Sequence, residues 1–99
     1  MKTSEILSAC ADKLEKPGAW KKGKEDDHAM CSVTAIDKLT ENLDLTSKAC
    51  LALCSTIGAS VPVLAGLYLI SWNDAPGRTH PEVVATFRKA AQAEREAGR

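Results

Sequence analysis

Near the C-terminus, the turn pair Pro76-Gly77 leads into Thr79-His80-Pro81-Glu82. Few short stretches constrain a backbone more. Proline fixes φ and glycine accepts φ > 0, so residues 76–77 reverse the chain. Thr79 is placed to accept a backbone N–H of a new helix, and Glu82 to reach back to the Thr79 N–H. Pro81 falls in a first turn, where its missing donor has no consequence. Asn73 and Asp74 end helices or start turns, because their side chains compete for nearby backbone groups. Residues 72–78 therefore read as a tight loop between two helices, with Trp72 turned inward and Arg78 beside Asp74. As a plain connector the loop needs no further purpose, and this is the preferred reading. The sharper one makes it a ligand-facing loop with Asn73, Asp74 and Arg78 as polar contacts.

Trp72-Asn73-Asp74-Ala75-Pro76-Gly77-Arg78-Thr79, followed by Glu82-Val83 and by Phe87-Arg88-Lys89-Ala90-Ala91, resembles the C-terminal signature of a family of small, uncharacterised bacterial and phage proteins. In that family Trp-Asn-Asp-x-Pro-Gly-Arg-Thr runs into a Val/Leu-rich helix. The turn Pro17-Gly18-Ala19-Trp20 fits loosely, and His28-Ala29-Met30-Cys31-Ser32-Val33 departs from the family's upstream pattern. The resemblance implies a domain identity and carries no activity, because the family has no assigned function.

At 99 residues the chain has the length of one domain, 1–99. Apolar residues make up 44% but aromatics only 4%, so a core must rest on Leu, Val, Ile and Ala. Thirteen basic residues balance 13 acidic ones. A nucleic-acid partner is not expected, because phosphate binding needs a basic surplus. Met1-Lys2-Thr3-Ser4-Glu5 leads into no secretory hydrophobic run, so a cytoplasmic location is expected. From Ala49 to Asn73 there is no charged side chain, which is long enough on paper to cross a bilayer. Ser55, Thr56, Gly58, Ser60 and Pro62 interrupt it, and the purely apolar remainder is too short. Two buried helices with a turn at 58–60 are expected, and no membrane partner.

The pattern predicts an all-α, single-domain compact bundle of about five short helices. Thr3 or Ser4 caps a first helix ending before Pro17-Gly18, with Ile6, Leu7, Cys10, Ala11 and Leu14 on one stripe. Trp20 lies in the loop beyond, as a lid over helix ends or as a binding-site ring. Residues 21–27, KKGKEDD, form a solvated charged loop without the alternating oxygen ligands of a divalent-ion site. A second helix spans 28–41 and a connector 42–45. Thr46 caps a third, which ends at Ile57 with Gly58 just past the end. The fourth, about 61–71, is apolar almost all round and should sit centrally. Its rival is a strand over 67–72, where Leu, Ile, Tyr and Trp gather. The last helix, 80–97, turns Val83, Val84, Phe87, Ala90 and Ala91 inward, with a tail from about 93 to 99 that frays.

Cys10, Cys31, Cys50 and Cys54 all fall on apolar faces and read as small core hydrophobes. Cys50 and Cys54, with Cys31 and His28, make a weak zinc candidate, since the short-spaced pairs typical of structural zinc are missing. No cofactor motif occurs: there is no phosphate-binding glycine loop and no His-Glu-x-x-His. His80 beside Asp74 or Glu82 would suit a general base, and it equally suits a surface helix start. Three functional readings follow. The first is a small, non-enzymatic interaction module binding a protein partner or itself, acting on a host protein where the chain is phage-borne. The second is a ligand-binding or enzymatic pocket around Trp20, Trp72, Asn73, Asp74, Arg78 and His80. The third is a zinc-stabilised domain.

Overall fold

The computed structural model describes residues 1–22, 31–59 and 65–99, and in these the chain is a compact bundle of five helices. They are α1 (Thr3–Glu15), α2 (Ser32–Leu39), α3 (Leu43–Thr56), α4 (Ala65–Asp74) and α5 (His80–Glu96). No strand occurs among the described residues, and 67–72 is helical.

The centre is the pair α1–α5, the most extensive packing in the fold. The two helices run antiparallel. Leu14, near the end of α1, meets His80 at the start of α5, and Ser4 donates to the Arg99 carbonyl at the other end. The stripe of α1 is as the spacing predicts: Ile6, Leu7, Cys10, Ala11 and Leu14 have no solvent exposure. Val83, Phe87, Ala90 and Ala91 of α5 face them. Each large side chain buried here contributes about 1.5–3 kcal/mol. Arg88 joins the helices on the outside by pairing with Asp12 and Glu15.

The helix starts show which caps won. Thr79 caps α5, its hydroxyl accepting from the Glu82 N–H at 3.3 Å. The return half of that box is not the Glu82 contact seen, for its carboxylate pairs with Arg78 at 2.8 Å, a charge-assisted bond stronger than one to an amide. At α1 the cap is Lys2, not Thr3 or Ser4. Glu5 accepts from the Lys2 N–H, and the Ser4 hydroxyl is taken by Arg99. At α3 the cap is Asn42, whose Oδ1 accepts from the N–H groups of Asp44 and Leu45, so Thr46 is an ordinary helical residue. The connector expected at 42–45 is thus the first turn of α3. Upstream, α2 stops at Leu39, earlier than expected, because Thr40 is extended and its hydroxyl accepts from the Asn42 N–H. The predicted start of that helix, at 28, lies outside the described residues.

The fourth helix corrects the sequence reading most. It is not central. It runs to Asp74, past the predicted end at 71, and buries only Leu69 and Asn73. Leu67, Tyr68 and Ile70 are exposed. With α1 and α5 filling the centre, α4 packs on α3 and α2 and leaves its outer side uncovered by any described helix. Beyond it, Gly77 at φ +82° makes the turn into α5. At the far end, residues 93–99 form the last turn of α5 and a close in which the Arg99 N–H donates to the Glu94 carbonyl.

Candidate functional site

Asn73 sits one residue from the end of α4 and has no exposure to solvent. Its side chain is a junction. Oδ1 accepts from Trp20 Nε1 at 2.6 Å, from Ser32 Oγ at 2.7 Å and from the Ser32 N–H at 3.1 Å. Nδ2 donates to the Lys21 carbonyl and to Asp74 Oδ1, each at 3.1 Å. One amide therefore ties the loop after α1, the start of α2 and the end of α4. Ser32 is the first residue of α2, where backbone N–H groups have no helical acceptor, and Asn73 supplies one.

Trp20 forms the upper layer. Its ring stacks on His80, with centroids 6.0 Å apart and planes 18° from parallel. His80 Nε2 contacts the Leu14 carbonyl. A carbonyl can only accept, so Nε2 carries the hydrogen. His80 thus closes an orphan acceptor in the last turn of α1 while opening α5. Beside this layer lies Arg78. Its guanidinium carbon is 4.3 Å from the centroid of the Trp72 ring, its Nε donates to the Trp72 carbonyl at 2.8 Å, and it pairs with Glu82.

The structure brings the six residues Trp20, Trp72, Asn73, Asp74, Arg78 and His80 into one connected group. Their polar atoms point largely at one another and at backbone. No buried side-chain nitrogen or oxygen among the described residues lacks a partner. Ser32 and the carbonyls of Lys21 and Leu14 belong to the same group, and no local pattern in the chain marks them. They come from 41, 52 and 66 positions away from the residue each one meets. An open depression of about 380 Å³ touches the group at His80 and is otherwise lined by Glu15, Pro81, Val84, Ala85 and Arg88.

The weak zinc candidates are placed separately. Cys31 Sγ lies 3.4 Å from the Thr34 hydroxyl, and Cys54 Sγ donates to the Ala65 carbonyl at 3.8 Å. Among the described residues no three His, Cys, Asp or Glu side chains converge. His28 lies outside those residues. Burial pushes the Cys10 thiol up to about 12 and the Cys50 thiol to about 11, and it raises Cys54 as well. Among the described residues no helix is long and apolar enough to cross a membrane.

Comparison with known proteins finds no match among curated proteins or solved structures. A family model does match, over residues 1–93, and on that extent the chain belongs to the family of unknown function DUF6197.

Proposed function

We propose that this chain is a small, non-enzymatic interaction module that docks a protein through the outer face of α4. One observation carries the reading. Leu67, Tyr68 and Ile70 stand 61%, 39% and 40% exposed on a single short helix. Scattered exposed apolar residues are ordinary, but three within four positions form a patch whose burial is favourable. No charged side chain interrupts the chain from Ala49 to Asn73, so a partner desolvates no charge on this segment. The cytoplasm is the expected setting, with a host protein as target where such a chain is phage-borne.

The ligand-pocket alternative draws less support, because Asn73, Trp20 and His80 already use their polar atoms within the fold. A zinc-stabilised domain draws less still, since among the described residues no three His, Cys, Asp or Glu side chains are grouped to hold a metal.

A photo-cross-linking residue at position 70 tests the docking reading in cells. Adducts with a protein should form there and not from a probe at Lys89, which is exposed on α5. Equal labelling from both sites, or none from position 70, would reject it.

A further inference from the structure

We draw no further inference here: the strongest candidate, the groove of about 340 Å³ between α3 and α5 that the buried Glu94 helps to line, carries nothing because its charged side chains are already paired within the fold, Glu94 with Arg99 and Lys48 with Asp44, and none is left to select a ligand.

Discussion

Asn73 Oδ1 lies 2.6 Å from Trp20 Nε1, although the two residues are 53 positions apart in the chain. This bond decides what the Trp72-Asn73-Asp74 motif does in the fold. The amide is fully buried and receives three donors from two other segments. Replacing it with leucine keeps the approximate volume and removes every partner at once. The Ser32 N–H and the Trp20 indole would then be desolvated without acceptors, at about 1–3 kcal/mol for each group that stays buried. Asn73→Leu should therefore destabilise the protein by about 2–4 kcal/mol. Trp20→Phe, which removes one donor and keeps the ring, should cost only about 1 kcal/mol from the lost bond. Urea unfolding by circular dichroism measures both. Equal costs would mean that the ring, and not the amide, holds this corner together.

Arg78 makes two kinds of contact, and their magnitudes differ. Its ion pair with Glu82 involves a carboxylate side chain 47% exposed, and pairs spaced i, i+4 on helices are worth about 0.3–0.5 kcal/mol. Its stacking on Trp72 and its bond to the Trp72 carbonyl are the less exposed part, with the arginine side chain only 19% accessible. Together these should contribute about 1–2 kcal/mol. Glu82→Gln should thus cost less than about 0.5 kcal/mol, and Arg78→Ala two to four times as much. Arg78→Lys should recover little, since an ammonium lacks the planar face and the directed Nε–H. Thermal melts at low and at about 0.5 M salt separate the parts: the Glu82 effect should fade with salt and most of the Arg78 effect should persist.

The outline of the fold was legible where a periodic stripe and its stop signals agreed. In α1, Ile6 to Leu14 repeat at helical spacing and Pro17-Gly18 ends the run. In α5, Thr79 and Pro81 mark the start and Val83 to Ala91 the buried side. Legibility failed where two residues competed for one role. Asn42 and Thr46 are both good caps, and only the extended Thr40 beside Asn42 decides between them. It failed for α4 on a different ground. A segment apolar on every side shows that it can be buried, not what lies against it. The candidate residues around the last turn were visible as residue types. Their connection was not, because Ser32 and the Lys21 and Leu14 carbonyls reach them only through the folded chain.

The competition at α3 gives a direct prediction. Asn42→Ala should cost about 1 kcal/mol, because two N–H groups lose their acceptor. Thr46→Ala should be neutral or slightly stabilising, since alanine is the better helix former inside a helix. Chemical denaturation of the two single variants distinguishes the assignments. The reverse order of costs would move the start of α3 to residue 47.

The buried thiols predict how stability responds to alkali. Cys10 keeps its proton up to about 12 in the folded protein, chiefly because burial disfavours the thiolate, against an ordinary value of 9.0. The folded value is raised, so the native state holds the proton while the unfolded chain releases it. The Cys10 contribution is therefore fully present below about pH 9 and is lost as pH climbs from there toward 12. The loss should be about 1.4 kcal/mol per pH unit across that window. Lysine and tyrosine titrate in the same range, so the informative quantity is a difference. Cys10→Ala removes a small buried side chain and should be less stable than the wild type at pH 7. That gap should narrow steadily between pH 9 and 11 at the stated slope. In parallel, iodoacetamide at pH 8 should leave Cys10 unmodified in the native protein and alkylate it in urea. A gap that stays constant through pH 11, or rapid native alkylation, would show that the thiol is not held in the core as its burial implies.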